Sequence, residues 1–221
     1  MLLRAWACVA VLALCAQDAA PERPAVLAKQ IDLERAPEAF KRVNAELRKA
    51  GVVRAEFSEE KRIPRMKRAL ASSGEIVFSG VRGLYRRTTA PSEQELIVTR
   101  KGIEQRTPSG VERFDLEKQP VARAFVDAFL LVFSGDERAL AAQFELAFEG
   151  TFEQWSMGLV PRKEPLGKLI AYIVVSGKGA EIAEITVVET SGGRTLTKWT
   201  RVVLGKALTE DEERRFFGAR E

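Results

Sequence analysis

Histidine is absent from all 221 residues, and the only two cysteines, Cys8 and Cys15, lie within the first fifteen. If that opening stretch is removed on export, the remaining chain has neither an imidazole nor a thiol. Ser-His-Asp and Cys-His catalysis, ordinary zinc sites and disulfides are excluded together. An excess of one charge is lacking too. Thirty-five Lys and Arg face 31 Asp and Glu, for a net charge of +4. Such a balanced surface does not read as a nucleic-acid footprint, and Trp155 and Trp199 sit in apolar or mixed strands rather than within a basic stripe. Past residue 16 no apolar run approaches the roughly 20 residues of a membrane span. Hydrophobic residues at 46% and charged residues at 30% fit one large globular domain or two small ones. The carboxylate pairs Glu93/Glu95 and Glu181/Glu184 read as solvated strand faces. No catalytic residue, metal ligand or cofactor site is expected.

What is present begins with an address. Arg4 precedes an unbroken apolar run from Ala5 to Ala16, and Gln17-Asp18 restores polarity. A positive start, about a dozen apolar residues and small residues at the end describe a secretory signal peptide. Residues 1–16 are read as that signal, cut after Ala16, and 17–34 as a linker. A folded, exported domain is expected over 35–221. Leu12-Ala13-Leu14-Cys15 also approaches a lipoprotein signal, in which Cys15 becomes the lipidated first residue; Leu14 is larger than that pattern prefers.

Helical and strand periods then alternate in blocks. Phe40, Val43 and Leu47 share one helical face between Pro37 and Gly51. Short alternating strands follow: 53–57, 74–78, 84–88, 95–99 and 103–106, with turn signals between them. A helix from Pro120 to Phe133 interrupts, with a short helix capped by Asp136 behind it. Strands resume over 143–148, 151–159, 169–175, 182–188 and 194–203, and Thr209-Glu-Asp-Glu212 is a capping box for a last helix. The meander on both sides of the interruption predicts one α+β domain. It has ten or eleven antiparallel strands in a single curved sheet, with helices on one side.

The helix from Val121 to Phe133 is apolar on most of its surface, so it is buried on more than one side or covers something apolar. A curled sheet has a concave face, filled by side chains or by a guest. Phe57, Ile76, Phe78, Leu84, Leu96, Val98, Trp155, Met157, Leu159, Ile170 and Tyr172 are the candidate lining, with Phe125, Phe129 and Phe133 on the covering helix.

At this point the order of motifs becomes informative. Phe57-Ser-Glu-Glu-Lys61, Ser72-Ser73-Gly74 with its alternating strand, Gly83-Leu-Tyr-Arg86 with Pro91, and Ile97-Val-Thr99 with Gly102 follow one another. Phe133-Ser-Gly-Asp136, Trp155-Ser-Met-Gly-Leu-Val-Pro161 and Leu208-Thr-Glu-Asp-Glu212 come later. In order and spacing, residues 35 to 217 resemble the LolA-like outer-membrane lipoprotein carriers. The resemblance implies an unclosed β-barrel of about eleven strands with a helical lid. It implies a periplasmic carrier that takes acylated lipoprotein from an inner-membrane transporter and passes it to an outer-membrane acceptor, without covalent chemistry. A monomer, with no nucleic-acid partner, is expected. A same-fold acceptor anchored at Cys15, or a carrier of another lipid, is the alternative. Family members often hold the lid with an arginine before a proline at the lip of the second strand. Here Ser79-Gly-Val-Arg82-Gly83 offers only Arg82, without the proline, as a lid latch.

Lys61, Arg62, Arg65, Lys67 and Arg68 crowd five cations into eight residues. They are expected at the barrel mouth, contacting anionic headgroups or an acidic partner, each worth about 1 kcal/mol near an anionic surface.

Overall fold

A computed structural model of the chain describes residues 23–218. The expected signal peptide, and Cys15 with it, lies outside the described residues. Eleven strands form one antiparallel sheet in the order β6-β5-β4-β3-β2-β1-β11-β10-β9-β8-β7. They are β1 (Val52–Arg62), β2 (Leu70–Ser79), β3 (Gly83–Ala90), β4 (Gln94–Val98), β5 (Gly102–Thr107), β6 (Gly110–Asp115), β7 (Phe144–Gly150), β8 (Trp155–Pro161), β9 (Ile170–Lys178), β10 (Glu181–Glu189) and β11 (Arg194–Leu204). Hairpins join successive strands within each half, and β1 pairs with β11 to join the halves. The sheet therefore ends at two edge strands, β6 and β7, the second met only by a short bridge from Gln30, and forms a barrel that does not close.

The helices are α1 (Glu38–Ala50), α2 (Pro120–Ser134), α3 (Glu137–Gln143), the single turn α4 (Leu166–Leu169) and α5 (Glu210–Phe217). Only the α2–α3 segment passes from one free edge to the other, so it must cross the open side. It does so over the concave face. Phe40, Val43 and Leu47 of α1, and Val126, Ala128, Val132 and Phe133 of α2, share one core with the inward residues of β1–β4 and β7–β11.

Helices do not lie on one side alone, as the sequence pattern implied. Phe216 of α5 is buried on the convex face against Val77, Tyr85 and Ile97. The described part of the 17–34 stretch also packs. Val26 and Leu27, in a 3-10 turn, cover Ala147, Val160, Tyr172 and Val174 on the convex face, and Gln30 bridges to Ala147. Gly158 permits this approach, because a Cβ there would stand 2.5 Å from a Leu27 methyl. One strand was missed: β6, whose six residues are all exposed, carries no buried period to read.

The end of α2 is fixed by backbone contact. Gly135 ends the helix at φ 66° and ψ 14°, and a Cβ on it would meet the Asn44 carbonyl of α1 at 2.2 Å. Gly135→Ala should therefore lower stability by about 1–3 kcal/mol. The check is urea unfolding, in which the midpoint falls while the m-value stays unchanged.

Candidate functional site: the lid-covered concave face

Ten of the eleven sequence-predicted lining residues meet on the concave face: Phe57, Ile76, Phe78, Leu84, Leu96, Val98, Trp155, Met157, Leu159 and Ile170. Tyr172 does not. Val188 pairs with Tyr172 but Glu189 pairs with Ile170, so Ala171 is an extra residue in β9. This β-bulge reverses the alternation, and Tyr172 falls on the convex face with Val26 and Leu27.

The three lid phenylalanines form a graded ladder. Phe133 is 2% exposed, Phe129 is half-buried, and Phe125 is 42% exposed. Phe133 stacks on Trp199 of β11 at 5.2 Å between centroids and meets Phe78 at 5.3 Å. Phe129 packs edge-on to Phe133 at 5.0 Å, and Phe125 lies parallel to Phe129 at 6.5 Å. Hold on the helix follows the same gradient. Its C-terminal end is wedged against α1 through Gly135, while Gln119 at its N-terminus supplies no side-chain cap. The concave face is thus plugged by the chain's own aromatics, most firmly at one end.

The plug leaves one side open. Phe78, Leu84, Val98, Ile103 and Phe114 are register partners in sequence across β2 to β6, so they form one apolar row on the concave face. Coverage fades along it, from 3% exposed at Phe78 to 38% at Phe114. Phe78, Ile103 and Phe114, with Leu130 and Leu131 of α2, border a cavity of about 1140 Å³. The cavity lies at the sheet end carrying the Gly80–Gly83 and Thr99–Gly102 turns, and its rim reaches round to Ile97 and Phe217. Of the predicted lining only Phe78 borders this space. Ile103, Phe114, Leu130 and Leu131 were missed as lining, although the all-round apolar character of the helix already marked Leu130 and Leu131.

Arg82 borders the same cavity. Its backbone N–H donates to Ser79 Oγ at 3.3 Å, but its side chain makes no hydrogen bond to α2 among the described residues. Its Nε is buried without a partner. The contacts of α2 with the sheet and α1 are the aromatic packing of Phe133 and the close approach at Gly135.

A half-buried ion pair stands two residues beyond Phe57 on β1. Arg86 donates from both terminal nitrogens to Glu59, each at 3.0 Å, and from Nη2 to Ser72 Oγ at 3.2 Å. Thr197 Oγ1 donates to the same carboxylate at 2.9 Å. The guanidinium lies over the Phe57 ring, 4.1 Å from its centroid. Burial pushes the Glu59 carboxyl up, but Arg86 outweighs it, helped by Thr197 and Ser72, so its pKa lies below the usual 4.5.

The basic segment is not at the cavity. Arg65, Lys67 and Arg68 are exposed in the β1–β2 loop, and none of them pairs with a carboxylate among the described residues. Lys61 reaches Glu189 at 3.0 Å and Arg62 reaches Glu60 at 2.7 Å. The loop begins β2 and the cavity lies at its end, roughly 30 Å away along a ten-residue strand. No group of three or more potential metal ligands occurs among the described residues, and no described helix is long and apolar enough to cross a membrane.

Residues 35–211 match the family described as outer membrane lipoprotein carrier protein LolA-like. No curated protein matches the chain. Among solved structures, a LolA superfamily protein from Nitrosomonas europaea is 9% identical, with 76% of this chain and 96% of that chain covered and a TM-score of 0.38. A putative outer membrane lipoprotein-sorting protein domain from Vibrio parahaemolyticus is 8% identical over 80% and 97% of the two chains, with a TM-score of 0.43. A chain of the MucA/MucB complex of Pseudomonas aeruginosa is 14% identical over 79% and 60%, with a TM-score of 0.42.

Arg86→Leu should cost about 2–3 kcal/mol at pH 7, less than the 3–5 typical of full burial, by stranding the Glu59 carboxylate. The deficit should shrink as pH falls and that carboxylate is protonated. Glu59→Gln bears on the same pair. The native carboxylate contributes stability above about pH 4.5 that is lost as pH falls through its lowered folded-state value, so the variant should have a flatter acid limb. Urea titrations across this range check both.

Proposed function

Because the chain belongs to the family of LolA-like outer membrane lipoprotein carriers, we propose that it is an exported, non-enzymatic carrier. It shelters acyl chains of lipoproteins, or of a related lipid, between the concave face and α2 while they cross the periplasm from inner to outer membrane. An inner-membrane transporter supplies the cargo and an outer-membrane acceptor receives it.

The observation that carries this reading is the graded phenylalanine plug beside an open apolar row. Each methylene withdrawn from water is worth roughly 0.8 kcal/mol, so a sixteen-carbon chain resists exposure by on the order of 12 kcal/mol. A carrier must offset most of that and still let go. A fixed set of polar contacts would hold cargo too specifically. An apolar surface occupied by the protein's own rings makes cargo compete with Phe125, Phe129 and Phe133, which lowers the net affinity. In this reading, acyl chains spread from the row at Phe78 and Ile103 under α2. The helix lifts from its uncapped N-terminal end, and Phe125 and Phe129 leave before Phe133. The Glu59–Arg86 pair bounds the apolar floor on the β1 side, and Arg82 stands at its open end rather than as a latch. The loop of Arg65, Lys67 and Arg68 contacts an anionic surface or acidic partner, separately from cargo.

Two measurements test this. Brominated acyl chains quench tryptophan at contact range, and Trp155 and Trp199 both face the concave side. A brominated long-chain fatty acid should quench the mature protein strongly, and Trp199→Phe should remove a large part of the effect. Binding without quenching would place the chains elsewhere. Separately, Lys67→Glu with Arg68→Glu should weaken sedimentation with anionic vesicles severalfold and leave quenching intact. Equal loss of both would refute the separation of loop from cargo site.

A further inference from the structure

The charges around the cavity are almost all committed to partners. Glu104 takes Arg106 at 2.5 Å and Arg113 at 2.7 Å. Asp127 pairs with Arg123 at 3.7 Å, and Asp115 with Lys118 at 3.5 Å. Asp136 accepts the Ala139 N–H at 3.0 Å as the cap of α3. Lys101, in the same turn as Arg100, is engaged as well. Arg82 and Arg100 remain. Each borders the cavity, one from the β2–β3 turn and one from the β4–β5 turn. Neither has a carboxylate partner among the described residues. The Arg82 Nε is buried and unpaired as well, an arrangement that a permanently charged guanidinium tolerates poorly without an acceptor.

These two cations stand where the apolar row of Phe78, Ile103 and Phe114 meets water. An acyl chain lying along that row would bring its headgroup to them. We propose that Arg82 and Arg100 form a headgroup seat, and that the lipid taken up carries an anionic group, a phosphate or carboxylate, at the end of its acyl chain. This rests on the carrier reading and adds the polarity of the cargo to it. Guanidinium suits such a group because its donors form a planar fork that matches two oxygens of one anion. The neutral part of the seat is supplied by α2 through Leu130 and Leu131, so chain and headgroup are recognised by different elements.

The test uses two probes of equal chain length, cis-parinaric acid and the corresponding alcohol, titrated against the mature protein by fluorescence. The acid should bind about tenfold or more tightly, as expected of hydrogen bonds to a charged group. In the double variant Arg82→Gln, Arg100→Gln the two affinities should converge, with the alcohol unchanged. The unchanged alcohol shows that the variant folds and that its apolar row is intact. Equal binding of both probes by the native protein would overturn the seat while leaving the carrier reading standing. A preference that survives the double variant would overturn the assignment to Arg82 and Arg100. Failure of both probes to bind would overturn the seat together with the carrier reading.

Discussion

An open sheet that curls without closing has an inner face that no strand can cover. In this molecule that single constraint organises nearly everything else. Pairing of β1 with β11 places the free edges at β6 and β7, so the chain must cross the open side between them. The crossing segment has to be apolar toward the sheet, and α2 is. It cannot be permanently fused to the sheet if a guest is to share the same surface. Its uneven attachment is consistent with that demand: Gly135 and Phe133 hold one end, while Phe125 at the other stands 42% exposed.

The electrostatics follow the same division. Under the covered part of the concave face, charges are paired and half-buried, as Glu59 and Arg86 are, with hydroxyls of Ser72 and Thr197 completing the carboxylate's shell. Where it opens, Arg82 and Arg100 lack acidic partners among the described residues. At the far end of β2, Arg65, Lys67 and Arg68 are exposed and lack carboxylate partners among the described residues, away from the cavity and beside the exposed Met66 and Leu70. A charged surface far from the apolar opening suits docking, and a charged surface at its rim suits cargo.

Much of this was legible in the residues. Phe40, Val43 and Leu47 at helical spacing, the Pro37 and Gly51 boundaries, and the Thr209–Glu212 capping box all reappear in place. Alternation brought ten of the eleven candidate residues together on the concave face, although only Phe78 of them borders the open cavity. Tyr172 failed because a single extra residue, Ala171, inverts every assignment beyond it, and a bulge leaves no mark in an apolar–polar pattern. The edge strand β6 was invisible for a different reason. Burial writes the alternating pattern, and a strand exposed throughout has none. Val26 and Leu27 looked like linker because two apolar residues are too few to show a period. The open cavity depends on where α2 lies across the sheet, which is a tertiary fact. Periodicity could mark Leu130 and Leu131 as apolar but could not say what they face.

The central claim is that α2 and acyl chains compete for one surface. It is tested most directly by the distance between α2 and the sheet. Past Cys15 the sequence has no cysteine, so spin labels can be placed cleanly at the exposed positions Arg123 on α2 and Thr200 on β11. Double electron–electron resonance should give one distance for the empty protein and a longer, broader distribution once a long-chain acyl ligand saturates it. An unchanged distance in a protein shown to be fully loaded would mean that the helix is part of a fixed core, and the account would be wrong.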